Sequence, residues 1–471
     1  MVNMPYIFYE ILDIFHKASF FALSLQAVLV ILVIWLILHK NKNNEKTKNL
    51  TAQEKADLIA NWNPEPLVGD TPLDHPSLSP RLVTSRVGKR ITVDGWDCLN
   101  LGTHNYLGLL EDDGIQEDAI RSLKKYGVGS CGPRGFYGTT DVHLELEEKL
   151  AQFMDMEEAV VYSYGFSTIA SAIPAYAKRT DICFVDEAAN FAIQKGLDAS
   201  RCTVIYFRHN DMKDLEEKLI EHTRQAAKNP KKAAKTRKFL IAEGIYMNTG
   251  EMCPLADLVA LRKKYQLRFF LDESITFGTM GATGRGLTEH LGIDRAEIDL
   301  ISATLEWAVG TIGGFCVGSS FIVDHQRLSG LGYCFSASCP PLLTRAAVSA
   351  LEKFDKEPEL FAEIQECSRK LQRKLEDLSV LRLRGDPISP VKHLYVREEK
   401  ATKAEDALLT EIVDKCITKG LCLVKAQYLQ HIEKKCPRPS IRISVNRLLT
   451  DEDMAFTFRT LESISKEVLL Q

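Results

Sequence analysis

The sequence has no C-x-x-C pair. Its twelve cysteines are scattered along 471 residues, so neither a zinc site nor a disulfide framework is indicated. Free thiols in a reducing compartment are the expected state. Nor is there an excess of charge of one sign: 59 Lys and Arg stand against 63 Asp and Glu, a formal net charge of −4. No global basic field therefore draws nucleic acid to the chain. No internal repeat is visible. Apolar residues make up 45% and charged residues 26%, which excludes a mostly disordered chain, a collagen and a many-span transporter. The length allows two or three domains of about 150 residues each.

One segment departs from this average. Residues 20–38 read FFALSLQAVLVILVIWLIL, with Ser24 and Gln26 as the only polar residues. At 1.5 Å per residue such a run spans a hydrocarbon core of about 30 Å, and backbone in that setting favours helix. A cleaved signal peptide is the alternative, but the run is long and no A-x-A-like site follows it. Lys40, Lys42, Lys46 and Lys48 follow the run, whereas Glu10, Asp13 and Lys17 precede it. The positive-inside rule then places the C-terminal bulk in the cytosol. The expected organisation is an N-terminal lumenal segment (1–18), a transmembrane helix (19–39) and a cytosolic linker with a short helix (40–94).

Within the linker, Thr51-Ala-Gln-Glu54 is a capping-box pattern opening the short helix. Pro64, Pro66, Pro72, Pro76 and Pro80 mark extended chain. From about residue 95, short β-rich runs at 159–162, 182–185, 203–207, 239–242, 267–271 and 300–303 alternate with helical patterns. Several are continuously apolar, as strands covered on both faces are. The pattern predicts a large α/β domain over 95–345 with a mainly parallel sheet. A smaller α+β domain over 346–471 is expected, with a long helix, strands at 381–383, 393–396 and 441–445, and a terminal helix. Arg224, Lys228, Lys231, Lys232, Lys235, Arg237 and Lys238 crowd one stretch. It reads as a solvated loop or as a contact for anionic lipid. Nucleic-acid binding is not indicated, because no aromatics interleave the charges.

Four stretches read together carry chemistry: Asn105-Tyr-Leu-Gly-Leu109, Tyr164-Gly-Phe166, Glu243-Gly-Ile-Tyr-Met-Asn-Thr-Gly250 and Phe269-Phe-Leu-Asp-Glu273. They resemble the α-oxoamine synthases, pyridoxal-phosphate (PLP) enzymes that condense an amino acid with an acyl-CoA. With Cys131-Gly-Pro-Arg-Gly-Phe-Tyr-Gly138 and Ile312-Gly-Gly-Phe315, the resemblance narrows to the long-chain-base subunits of the serine palmitoyltransferase family. It covers residues 60 to 471 and the N-terminal span. The implied fold is the PLP-dependent aminotransferase-like α/β fold (fold type I).

The resemblance also shows departures. Such enzymes hold PLP on a Lys placed after a strand, five or six residues before a Gly-Gly pair. In Ser302-Ala-Thr-Leu-Glu-Trp-Ala-Val-Gly-Thr-Ile-Gly-Gly314 that position falls on Trp307, or on Glu306 with a one-residue gap, and no Lys occurs between Lys264 and Lys353. Neither side chain can form an imine. Asn190 replaces the His that stacks on the ring in catalytic relatives, and Ile275 replaces a His that would touch the cofactor oxygen. Asp272 is kept, matching the group that pairs with the pyridine nitrogen. It sits just past a predicted strand end, where open α/β sheets place ligands. Asp272 and Asn190 therefore read as a vestigial site; a helix N-cap or an ion-pair partner is the structural alternative for Asp272.

Phe335-Ser-Ala-Ser-Cys-Pro-Pro341 matches a segment that in homodimeric relatives binds the phosphate of the other subunit's PLP. Ser336, Ala337 and Ser338 are thus expected to complete a partner's cofactor site, or else to form a Pro-terminated loop. The 131–138 loop is placed by analogy at the subunit interface. There Cys131, Arg134, Phe136 and Tyr137 would contact substrate or simply pack. Arg442 matches the arginine that binds the amino-acid carboxylate, with a surface strand arginine as the alternative.

The resemblance implies a non-catalytic, required subunit of a serine palmitoyltransferase, which joins L-serine to palmitoyl-CoA. PLP would be bound by a homologous, Lys-bearing catalytic subunit. Small activating membrane subunits, Orm-type regulators, a lipid membrane and residence in the endoplasmic reticulum are further expectations from the family. A membrane-tethered scaffold or regulatory pseudoenzyme is the alternative. No metal site and no autonomous catalytic pattern are indicated.

Overall fold

The computed structural model describes residues 19–44, 50–67, 78–429 and 432–470. The expected lumenal segment 1–18, Lys46 and Lys48, and the prolines at 72 and 76 lie outside the described residues. The chain divides into two units, Met1–Pro80 and Arg81–Gln471.

In the first unit, Phe20–Asn44 is helical, and the expected membrane span falls on it. Its side chains are described without a break only from Ser24 to Leu38. Among the described residues no helix is long and apolar enough to cross a membrane. The capping box forms as the sequence predicts: the Glu54 N–H donates to Thr51 Oγ1 at 3.2 Å and the Thr51 N–H donates to Glu54 Oε2 at 2.8 Å. It opens the helix Ala52–Ala60.

The described residues of the second unit form fourteen strands: β1 (Arg90–Val93), β2 (Trp96–Asn100), β3 (Glu158–Tyr162), β4 (Ile182–Asp186), β5 (Thr203–Phe207), β6 (Lys238–Glu243), β7 (Arg268–Asp272), β8 (Leu300–Thr304), β9 (Gly314–Gly318), β10 (Leu381–Arg384), β11 (Val391–Val396), β12 (Leu421–Cys422), β13 (Val424–Lys425) and β14 (Ile441–Ser444). Seven of them form the large sheet, in the order β3-β9-β8-β7-β6-β4-β5. The expectation of a mainly parallel sheet holds, with one reversed strand that makes the sheet mixed. Strands β8, β7, β6, β4 and β5 run parallel, but β9 is antiparallel to both β3 and β8. The reason is chain length. Residues 305–313 are too few for a crossover helix, which takes about a dozen residues or more, so the chain turns straight back.

Side chains alternate across this sheet with the two-residue period of a strand. Leu240, Leu271 and Ile301 enter one apolar core, while Phe239, Ile241, Phe270 and Leu300 enter another. Both faces are thereby covered, which explains the continuously apolar runs.

A second, antiparallel sheet has the order β10-β11-β14-β13. A third joins distant parts of the chain: β2 pairs with β1 in a hairpin and runs parallel to β12, with Leu99 opposite Leu421. Strands β6, β7 and β8 end on Glu243, Asp272 and Thr304. Ligands of open α/β sheets bind outside such carboxyl ends.

Candidate active site

A cavity of about 300 Å³ opens at these strand ends, and Asn190, Asp272, Glu306, Trp307, His104 and Arg442 are among its lining residues. Asp272 is buried there. Among the described residues it neither caps a helix nor joins an ion pair. Its Oδ1 accepts the Ser274 N–H at 2.9 Å, closing a turn, and its Oδ2 accepts from Asn190 Nδ2 at 3.3 Å. Burial raises its pKa. Glu243 lies opposite it in the sheet register. Burial, and then the Asp272 charge, push the Glu243 carboxyl up to about 8.

Asn190 has structural work of its own. Its side-chain oxygen accepts the Ile193 N–H at 3.1 Å, capping the helix Phe191–Ser200. Its backbone N–H donates to Glu243 Oε1 at 2.7 Å. Ile275 does not reach the cavity surface; it is buried in the core.

Glu306 and Trp307 stand two and three residues past the end of β8 and turn in different directions. Glu306 Oε1 accepts the Gly165 N–H at 2.9 Å, at the first residue of the helix Gly165–Tyr176. Trp307 lies against His104, with ring centroids 4.8 Å apart. Burial holds the His104 imidazole well below its ordinary pKa, so it faces Trp307 uncharged.

Arg442 corrects the surface-arginine alternative. It turns inward from β14 to line the cavity, and burial lowers its pKa. Its Nη2 donates to the Gly102 carbonyl at 3.4 Å, but its buried Nε has no hydrogen-bond partner. Among the described residues it forms no ion pair. His393, held down to about 4 by burial, adds no competing charge nearby.

The other sequence-predicted residues lie away from this cavity. Arg134 is buried, and its two terminal nitrogens donate to Glu147 Oε1 and Oε2 at 2.8 and 2.9 Å. Its Nε donates to Thr139 Oγ1, and the Tyr333 ring lies 5.4 Å away. That fork is committed to holding its own loop. Cys131 and Tyr137 both adopt left-handed backbone, with φ of 59° and 66°. Phe136 and Tyr137 project outward, 65% and 103% exposed.

The 131–138 loop and the 335–338 segment are tied together. The Ser338 N–H donates to the Gly132 carbonyl at 3.0 Å, and its hydroxyl donates to the Gly138 carbonyl. The Ser336 hydroxyl donates to the Gly332 carbonyl, and the Ala337 carbonyl accepts from Ser163 Oγ. Both serine hydroxyls are thus engaged. The backbone N–H groups of Ser336 and Ala337 have no partner among the described residues. Ala337 and Phe335 are exposed. In the basic stretch, Arg237 pairs with buried Asp181 at 2.7 Å, while Arg224, Lys228, Lys231, Lys232 and Lys235 are exposed.

A PLP molecule would need an amine for its aldehyde and an anion cradle for its phosphate. No lysine lines the cavity, and a carboxylate already sits on the helix N-terminus. Asp272 alone is in place for the pyridine nitrogen. The residues present do not fit the group. Sequence reasoning missed the Glu306–Gly165 contact and the Glu147 partner of Arg134. The available signal was only the place of Glu306 two residues after a strand end.

The aminotransferase class I and II family model matches residues 96–456. "Serine palmitoyltransferase 1" of Dictyostelium discoideum is 38% identical over 456 residues, covering 95% of this chain and 94% of its own length. "Long chain base biosynthesis protein 1b" of Oryza sativa subsp. japonica is 38% identical over 448 residues, covering 95% and 92%. Among solved structures, the serine palmitoyltransferase of Sphingomonas wittichii is similar with a TM-score of 0.74 at 24% identity, covering 91% of this chain and 99% of that one. That likeness shows the fold. The agreement in sequence extends over nearly the whole of both chains, and on that ground this chain belongs to the family of serine palmitoyltransferase 1 and long chain base biosynthesis protein 1, built on the class I and II aminotransferase fold.

Proposed function

We propose that this chain is a non-catalytic but required subunit of a serine palmitoyltransferase. The complex condenses L-serine with palmitoyl-CoA, and PLP is bound by a homologous, Lys-bearing partner. One observation carries the reading: the cavity at the strand ends has no lysine among its lining residues, and Glu306 and Trp307 turn instead to Gly165 and His104.

The chain's contribution is made across a subunit boundary. Two motif loops are bound to each other, away from this chain's own cavity, with two backbone N–H donors to spare at Ser336 and Ala337. Successive backbone N–H groups suit a phosphate. Exposed Phe136, Tyr137 and Phe335 supply the apolar contact area that interface cores use. A site shared across a two-fold boundary lets one subunit lose its lysine while still serving the other.

The apolar run at residues 20–38 is the tether in this reading. With the flanking lysines it orients a single span, N-terminus lumenal, in the endoplasmic reticulum membrane. There it meets small activating subunits and Orm-type regulators. The tether keeps the complex near an acyl-CoA and a product that favour lipid surfaces.

The test is chemical. The complex is isolated through a tag on this chain and reduced with borohydride, and the phosphopyridoxyl group is located by mass spectrometry. The expected label lies on a lysine of a co-purifying homologue. A label on this chain would overturn the reading, and no label with no homologous partner would favour a scaffold.

A further inference from the structure

We propose that Glu306 is the residue that keeps phosphate-bearing ligands out of this chain: its carboxylate acts as a built-in anion at the N-terminus of the helix Gly165–Tyr176. The first N–H groups of a helix have no partner within it and carry the positive end of its dipole. Such a terminus receives anions. Here the anion is the protein's own. Glu306 Oε1 accepts the Gly165 N–H at 2.9 Å.

The contact is built from three sides. On the helix side, position 165 must be glycine: a Cβ there would lie 2.3 Å from Thr304 Oγ1 and 3.2 Å from the Glu306 carboxyl carbon. On the strand side, Thr304 ends β8, and its hydroxyl accepts the Glu306 N–H at 3.1 Å while donating to the Gly313 carbonyl at 3.2 Å. That turn aims Glu306 at the helix. On the cavity side, Gly165, Thr304 and Glu306 all line the same space as Asp272. A phosphate entering here would have to displace one carboxylate while facing a second buried one. Like charges in a low-dielectric site exclude each other.

The inference deepens the proposed function, since it explains how a chain with this fold would leave PLP to its partner. It rests on that reading only for its meaning, not for its geometry. A borohydride label on a lysine of this chain would overturn the function and leave the exclusion to be judged by its own experiment.

That experiment titrates inorganic phosphate into the purified full-length chain, as wild type, Glu306→Ala and Glu306→Gln, by isothermal calorimetry. Glu306→Ala is expected to bind phosphate roughly tenfold tighter than wild type or better. Glu306→Gln keeps the shape and removes the charge, so it should fall between the two and remains informative if the alanine variant does not fold. Equal affinity in wild type and in a folded variant overturns the proposal, whether both bind phosphate or neither does.

Discussion

Arg134 grips Glu147 through both prongs of its guanidinium, at 2.8 and 2.9 Å, with both side chains almost wholly buried. The same carboxylate accepts the Val161 N–H from β3 at 3.0 Å, so one ion pair joins the 131–138 loop to the edge of the large sheet. Removing one partner strands a buried charge. Glu147→Ala should cost about 3–5 kcal/mol, read as a lower urea midpoint. Replacing both residues with apolar ones of similar volume should cost clearly less than the single change.

Ser338 ties two loops with one side chain. Ser338→Ala removes the bond to the Gly138 carbonyl and should cost about 1–2 kcal/mol in thermal unfolding. If the 335–338 segment serves a partner's cofactor, the complex should also retain less PLP, measured by its absorbance after dialysis.

Tyr137 separates folding from association. Its side chain is fully exposed and its backbone is left-handed, at φ 66°. Tyr137→Gly relieves that conformation and should leave the chain as stable or up to about 1 kcal/mol more stable. The same change removes an aromatic from the proposed interface, so affinity for the partner should drop by roughly tenfold. Opposite signs in the two measurements are the expected signature; unchanged partner affinity would argue against an interface there.

His209 sits between Asp186 and Glu251, 2.9 Å from each. Burial pulls its pKa down, but the two carboxylates outweigh burial and raise it to about 9. A histidine raised in the folded state contributes stability fully below its unfolded pKa of about 6.5 and loses it as pH rises through about 9. Wild-type stability should therefore fall between those values by about 1–3 kcal/mol more than that of His209→Gln, with the comparison made by urea unfolding across that range.

Much of the fold was legible because the strands are apolar on both faces. The predicted runs at 182–185, 239–242 and 300–303 all lie within β4, β6 and β8. Strand β9 was not read as a strand. Its sequence, Gly-Phe-Cys-Val-Gly, begins and ends in glycine, and its pairing between β3 and β8 is set by a short return loop rather than by local propensity. At the site, the absence of lysine between Lys264 and Lys353 and the place of Asp272 at a predicted strand end could be read directly from the sequence. The contacts made by Glu306 and Arg442 could not. Glu306 meets a residue 141 positions upstream, and the inward turn of Arg442 depends on how β14 sits beside β11 and β13. Local periodicity carries no information about either.

The parallel pairing of Leu99 with Leu421 bears on the order of synthesis. Strand β2 can form its hairpin with β1 early, but its other edge has nothing to pair with until almost the whole chain has left the ribosome. At about 5–20 residues per second, that wait is on the order of tens of seconds. Through that interval the growing chain carries an open strand edge, the kind of surface that recruits chaperones or neighbouring nascent chains. A stop codon placed before residue 421 would leave that edge open for good.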